Sequence, residues 1–273
     1  MFYELPFFLG HDDEDEEMLA MAAALVALTP AESKRLIAKA VAALPEVRAA
    51  LKKGGVIIGR GTTNAFVAEE ILGITVPKLS YTVGMVCNGE LGMSPEEGRI
   101  KEYVLRDGQV VNIPYTEMLK EFRAGDVFIK GANAVDTWGN AGVLVAGDTG
   151  GTIGSALPTL IARGCHLIVP VGMEKLVPSV LEAAAKCDIY RFKYRTGYAT
   201  ALMPLVTAQV VTEIQALEVL TGVMATHVAS GGIGGSEGTV ILALEGDEDE
   251  VEAAFNLIKS IKGEAPVAGP KKK

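Results

Sequence analysis

The stretch GVIIGRGTTN at residues 55–64 decides the fold. Its apolar run at 56–58, set between glycines, predicts a buried strand of a parallel sheet. A polar glycine loop follows, and helical spacing then runs from Ala65 to Leu72 and ends at Gly73. A unit of strand, glycine loop and helix indicates an α/β fold.

Similar apolar runs recur along the chain at 126–131, 142–146 and 167–171, each followed by a polar or glycine-rich turn. Residues 102–113 alternate around the pair Asp107-Gly108, which is a strong hairpin signal. We therefore predict an α/β fold with a largely parallel twisted sheet flanked by helices. A small antiparallel insertion and an α+β C-terminal part complete this prediction.

On this interpretation the chain has four parts. They are an N-terminal arm with helices at 1–48, an α/β ligand-binding core at 49–205 with an inserted hairpin near 78–114, a helix-strand-strand-helix part at 206–264, and a disordered tail at 265–273.

Four local patterns give sharper predictions. Residues 17–28 follow an acidic run and are predicted to be helical, because acidic residues favour a helix N-terminus. Thr29-Pro30-Ala31-Glu32 predicts the start of another helix with a capping box. Residues 189–194 alternate and predict a strand, and residues 209–221 predict a helix.

Composition limits the function classes. The chain has 273 residues and a formal net charge of −9. This charge argues against general nucleic-acid binding, because phosphate contacts need clustered Lys and Arg. The three cysteines form no C-x-x-C pair and the three histidines are scattered, so we predict neither a metal site nor a cofactor.

Location and assembly are predicted from the N-terminal region. The apolar stretch from Met18 to Leu28 is too short to cross a bilayer and follows acidic residues, so we expect a cytoplasmic protein with no membrane partner. The aromatic segment at 2–9 is expected to dock on the body or on another subunit. We therefore expect a homo-oligomer.

The loop after the first strand is the first candidate site, with the candidate ligand-binding residues Gly59, Gly61, Thr62, Thr63 and Asn64. Glycines let a backbone approach a ligand closely, and the helix beyond presents free N–H groups to an anion. The alternative is a tight strand-to-helix turn capped by Thr or Asn. The loop matches neither standard nucleotide signature, since Asn64 replaces the third glycine of the dinucleotide motif.

A second polar turn follows the strand at 126–131. Lys130, Asn133 and Asp136 could supply a cation, an amide and a general base. The alternative is a polar turn in which Asp136 caps a helix.

The remaining candidates lie in three other loops. They are Gly150, Gly151 and Thr152 in a second glycine loop, Glu174 and Lys175 after the strand at 167–171, and Glu237 in the glycine-rich loop at 230–238. The alternatives are a helix entry, a solvated ion pair and a surface hairpin loop. Because ligands of open α/β sheets bind beyond the carboxyl ends of strands, we predict one shared crevice. In it Lys130, Asp136, Glu174 and Glu237 are the catalytic candidates, and the others bind the ligand.

The unit at 59–72 resembles the phosphate loop of ribose-5-phosphate isomerases. The segment VFIKGANAV at 127–135, with the later Gly139-Asn140 and Gly151–Gly154, is similar to the "GAD … G … GT" region of methylthioribose-1-phosphate isomerase and to lactate-utilisation domain proteins. These proteins belong to the group sharing the fold of ribose-phosphate isomerases, glucosamine-phosphate deaminases and CoA transferases. The resemblance covers about residues 50–200.

This resemblance implies a fold that binds phosphosugars, CoA esters or related anions. Where the isomerases carry Asp, this chain has Asn133, and an amide cannot take up a proton as a carboxylate does. Ser236-Glu237-Gly238 weakly resembles the glutamate motif of CoA transferases. We therefore expect a binder of a small anionic metabolite (phosphosugar, CoA ester or nucleotide-like), and if it is an enzyme, an isomerase or transferase. The alternatives are a non-catalytic metabolite sensor and a regulatory or assembly protein.

Overall fold

The structure is a computed structural model that describes residues 21–270. The described chain is mixed α/β, with eight α-helices and fourteen strands, which confirms the predicted fold class at that level. The helices are α1 (Pro30–Ala43), α2 (Pro45–Lys52), α3 (Thr62–Leu72), α4 (Tyr115–Glu121), α5 (Gly151–Arg163), α6 (Val180–Ala185), α7 (Glu213–Thr221) and α8 (Glu248–Ser260). None of them is long and apolar enough to cross a membrane.

A mixed sheet of six strands forms the centre of the protein. Its strands are β2 (Gly55–Ile58), β5 (Tyr103–Arg106), β6 (Gln109–Val110), β7 (Val127–Ile129), β10 (His166–Pro170) and β12 (Gln209–Val211). The order is β12-β10-β7-β2-β5-β6, in which the first four strands are parallel and the hairpin β5-β6 is antiparallel. Every residue of β2 and β7 is buried, as the apolar runs predict.

Three smaller sheets surround this one. Their strands are β1 (Met21–Leu28), β3 (Gly84–Cys87), β4 (Glu90–Met93), β8 (Ala134–Val135), β9 (Ala141–Val145), β11 (Ala201–Leu205), β13 (Met224–Ser230) and β14 (Val240–Asp247). The orders are β1-β14-β13, β11-β9-β8 and β3-β4, and every pair is antiparallel.

Local signals placed several element ends correctly. The capping box of α1 is confirmed, since the Thr29 side chain accepts from the Glu32 N–H and the Glu32 carboxylate accepts from the Thr29 N–H. Helix α3 ends at Gly73, whose φ of +65° is the left-handed conformation that favours glycine. The hairpin at Asp107-Gly108 joins β5 to β6.

The predicted helix at 17–28 is wrong over its described part. Residues 17–20 lie outside the described residues, and Met21–Leu28 is strand β1. All eight of its residues pair with β14. This pairing outweighs the helical preference of an alanine-rich segment, because propensities are weak compared with tertiary contacts.

Two further predictions need correction. Residues 189–194 form no strand and have no partner strand within the described chain. The predicted helix at 209–221 begins only at Glu213, because residues 209–211 form β12 beside β10 and Thr212 caps the helix.

Candidate functional site

The carboxyl ends of the parallel strands β2, β7, β10 and β12 lie along one edge of the central sheet. The strands end at Ile58, Ile129, Pro170 and Val211, and a polar segment follows each. Ligands of open α/β sheets bind at this edge. We call this edge of the sheet, together with these segments, the crevice.

The loop after β2 has both paired and unpaired amides. The Gly59 N–H donates to the Ile129 carbonyl at 2.8 Å, and the Gly61 N–H donates to the Tyr81 carbonyl at 2.8 Å. These bonds tie the loop to β7 and to residue 81. The first-turn amides of α3 donate to no described residue, and no side chain caps this helix. The positive end of the helix dipole is therefore free for an anion.

Asn64 joins the loop to the neighbouring strand. Its side-chain amide donates to the Gly59 carbonyl at 2.7 Å and to the Ile129 carbonyl at 3.2 Å. The residue is 0% exposed, and within residues 21–270 its Oδ1 atom has no hydrogen-bond partner. Because buried polar atoms are rarely left unpaired, we expect a donor from outside the described chain to form a hydrogen bond with this oxygen.

Lys130 follows β7 and carries an amine with weak protein contacts. Its only hydrogen bond to a described residue goes to the Gly131 carbonyl at 3.2 Å. Desolvation, the larger cause, and the nearby charge of Arg60 lower the pKa of Lys130 to about 8, while the charge of Glu102 acts in the opposite direction. No carboxylate within the described chain forms an ion pair with it by distance.

Lys175, after β10, approaches the same segment from the next strand. Its amine donates to the Ala132 carbonyl at 2.9 Å. Desolvation lowers the pKa of Lys175 to about 8, and the charges of Lys34 and Lys130 act in the same direction. Lys34 and Lys130 therefore lie close enough to Lys175 to affect its protonation.

Two carboxylates border the crevice. Glu174 accepts a hydrogen bond from the amine of Lys34 at 2.6 Å, and that amine comes from helix α1. Glu213 is 0% exposed, and its Oε2 accepts from the Met173 N–H at 2.8 Å. Burial raises the pKa of Glu213.

Arg60 adds a further cation on the side of β5. Its Nε donates to Glu102 at 2.8 Å, and Arg60 has no other hydrogen bond to a described residue. The Nη groups of the guanidinium are available for a planar anion such as a carboxylate or phosphate.

The side chains of Asn133 and Asp136 instead accept hydrogen bonds from backbone N–H groups. Asn133 is exposed, and its Oδ1 accepts from the Leu144 N–H at 3.0 Å. Asp136 is buried and accepts from the Trp138, Asn140 and Val180 N–H groups. These bonds lower the pKa of Asp136, which fits the turn-forming alternative better than a general base.

The second glycine loop, at residues 150–152, does not lie at this edge of the central sheet. It follows β9, which belongs to the antiparallel sheet with β8 and β11, and a Cβ at Gly150 would meet the Met203 side chain of β11 at 2.6 Å. The structure therefore does not place Gly150, Gly151 and Thr152 after a strand of the central sheet. Glu237 is exposed in its loop. Its neighbour Gly238 lies against Glu174, because a Cβ there would be 2.9 Å from Oε2.

The structure thus brings together the first loop, Lys130, Glu174 and Lys175. Sequence reasoning missed Lys34 and Glu213. Lys34 lies within a regular helix, and only its long-range bond to Glu174 marks it. Glu213 could have been found by recognising Thr212-Glu213 as a helix start after a short strand.

Comparison with known proteins identifies no family for this chain. No protein-family model matches the chain, and neither the curated proteins nor the solved structures contain a match. The resemblance to the ribose-phosphate isomerase and CoA transferase group therefore stays a prediction. Within residues 21–270, no group of three His, Cys, Asp or Glu residues is placed to hold a metal ion.

Proposed function

We propose that this protein, built on a twisted sheet flanked by helices, binds a small anionic metabolite in the crevice. A phosphosugar, a CoA ester or a nucleotide-like compound has the required charge. The observation that carries the proposal is the convergence of Lys130 and Lys175 without a carboxylate hydrogen-bonded to either amine within the described chain. Desolvating two amines that are near enough to repel each other is unfavourable unless an anion compensates.

Three other features support an anion at this place. The free amides of α3 and the guanidinium of Arg60 add positive potential beside Lys130. The unpaired Oδ1 of Asn64 accepts a hydrogen bond, so it fits a ligand that also carries a hydroxyl or amine. The ligand class is then a polar anion with at least one donor group.

If the protein is an enzyme, residues of the crevice carry out its reaction, and Asp136 does not. Glu213, whose pKa is raised by burial, can hold a proton there, and Lys130 can act as a base when neutral. The bonds that occupy Asp136 do not favour an isomerase mechanism built on it.

The test is a thermal-shift and calorimetry series with ribose 5-phosphate, coenzyme A, AMP and inorganic phosphate, with ribose as the neutral control. A bound ligand raises the melting temperature, by an amount set by its concentration relative to Kd. We expect at least one anion to stabilise the protein and ribose to have no effect. Failure of every anion to bind would refute the proposal.

Two variants locate the binding. Lys175→Met should weaken anion binding about tenfold or more, because a charge-assisted hydrogen bond contributes about 1.5–3 kcal/mol. Lys101→Met is the matched control, since Lys101 is an exposed lysine with no hydrogen bond to a described residue through its side chain. Equal losses in both variants would place the anion elsewhere.

A further inference from the structure

The amine of Lys130 has the surroundings of a nucleophile. Its one hydrogen bond to a described residue is long, at 3.2 Å, and goes to the Gly131 carbonyl. Lys34, by contrast, forms an ion pair with Glu174 at 2.6 Å. Lys130 therefore differs from the neighbouring Lys34 in having no ion-pair partner within the described chain, so that forming the neutral, nucleophilic amine breaks no ion pair there.

Arg60 and Glu102 act on the charge of Lys130 in opposite directions. The Arg60 guanidinium disfavours protonation of Lys130, and Lys130 and Lys175 lie within electrostatic range of each other. A desolvated lysine next to other cations is a recurrent arrangement for amines that attack carbonyl carbons. Simple anion binding would not require the amine to lose its proton.

Glycines pack closely against the stem of Lys130. A Cβ at Gly59 would lie 3.2 Å from Cδ of Lys130 and 3.0 Å from the Ile129 carbonyl oxygen. Any side chain at Gly59 would therefore press on the stem of Lys130. A Cβ at Gly131 would lie 3.6 Å from Asn64 Oδ1, so the unpaired acceptor is close to the segment that carries Lys130.

From this arrangement we infer that Lys130 forms an imine with an aldehyde or ketone carbon of the anionic ligand. The inference rests on the proposed function and narrows its ligand class to anions that carry a carbonyl group. Arg60 and Lys175 hold the anionic group, and Asn64 Oδ1 accepts a hydrogen bond from the hydroxyl formed when the amine adds.

The step balances without an oxidant or reductant. The neutral amine of Lys130 adds to the carbonyl carbon, and a proton moves from nitrogen to oxygen to give a carbinolamine. Protonated Lys175 then gives a proton to the hydroxyl, which leaves as water. The product is a protonated imine on Lys130 and a neutral Lys175, so the number of protons is unchanged.

Trapping with sodium borohydride tests this inference on the full chain. The probes are dihydroxyacetone phosphate and pyruvate, two anionic ketones. Their alcohols, glycerol 3-phosphate and lactate, are the matched controls, since they have no carbonyl. Borohydride reduces an imine to a stable secondary amine, and peptide mass spectrometry then identifies the modified lysine. We expect one adduct, on Lys130, from at least one ketone and none from the alcohols.

The variant Lys130→Arg keeps a positive charge but removes the nucleophilic amine. We expect it to give at least tenfold less adduct than the wild type, even at concentrations at which the corresponding alcohol saturates the variant. Thermal melting of the variant in the presence of the alcohol shows that it is folded and still binds.

The outcomes separate the two proposals. If an alcohol binds but neither ketone is trapped, the imine is refuted and anion binding stands. Adduct on exposed lysines such as Lys101 to the same extent as on Lys130 also refutes the imine, as does undiminished trapping in Lys130→Arg. Absence of binding by every anion, trapped or not, refutes the proposed function itself.

Discussion

Replacing Lys130 by Met should stabilise the ligand-free protein at neutral pH. The pKa of Lys130 is about 8 in the folded protein, and its ordinary value is 10.5, so the difference is about 2.5 units. At 1.36 kcal/mol per unit, this corresponds to an upper limit of about 3 kcal/mol against the charged form in the folded state. Because Lys130 is only partly buried, solvent screening reduces the expected gain to about 1–2 kcal/mol.

Met is a suitable replacement because it is unbranched, flexible and apolar. Among described residues, the only hydrogen bond that the substitution removes is the long one to the Gly131 carbonyl. For a chain of this size, 1–2 kcal/mol corresponds to a rise in Tm of roughly 2–8 °C. Differential scanning calorimetry in a buffer free of phosphate measures it, with Lys101→Met as the exposed control.

The gain in stability from Lys130→Met should depend on pH in a defined direction. The folded pKa is lowered, so between about pH 8 and 10.5 the unfolded chain binds more protons than the folded one. The wild-type protein therefore becomes more stable as pH rises through this window. The advantage of Lys130→Met should be largest at pH 7 and should shrink by pH 9.5. A variant less stable than wild type at pH 7, or an advantage independent of pH, would contradict the desolvation argument.

Three further predictions concern stability away from this lysine. Glu213→Ala should cost about 1–3 kcal/mol in chemical denaturation, because it leaves the buried Met173 N–H without an acceptor, whereas Glu213→Gln should cost less. Arg163→Ala should destabilise by about 1–3 kcal/mol, since its Nη1 donates to three carbonyl oxygens around the end of α4, and Tm would reveal it. Gly154→Ala should lower Tm more than either, because its Cβ would lie 2.0 Å from the Thr149 carbonyl oxygen, and full stability would show that this turn relaxes easily.

Sequence reasoning succeeded where the signal was local. The capping box at Thr29, the helix end at Gly73 and the hairpin at Asp107-Gly108 depend on residues within a few positions of one another. The apolar runs of β2 and β7 are continuous because both faces of a central strand are buried.

It failed where a distant partner decided the structure. Met21–Leu28 becomes a strand through pairing with β14, which lies more than two hundred residues further along the chain. Lys34 enters the crevice through a bond to Glu174, 140 residues away. Both contacts join segments that are distant in sequence, so no local pattern in a single sequence could predict them.

The two glycine loops show why the site itself was only half predictable. Both follow an apolar strand and open a helix, and in sequence they look equally suited to an anion. A helix N-terminus is a weak attraction alone and needs cations from neighbouring segments. Strand β2 lies beside β7, whose end carries Lys130, and β7 lies beside β10, which leads to Lys175. Strand β9 lies between β8 and β11 instead, so the loop that follows it lacks these neighbours. The order of strands, which no loop encodes, therefore decides which of two similar loops lies beside Lys130 and Lys175.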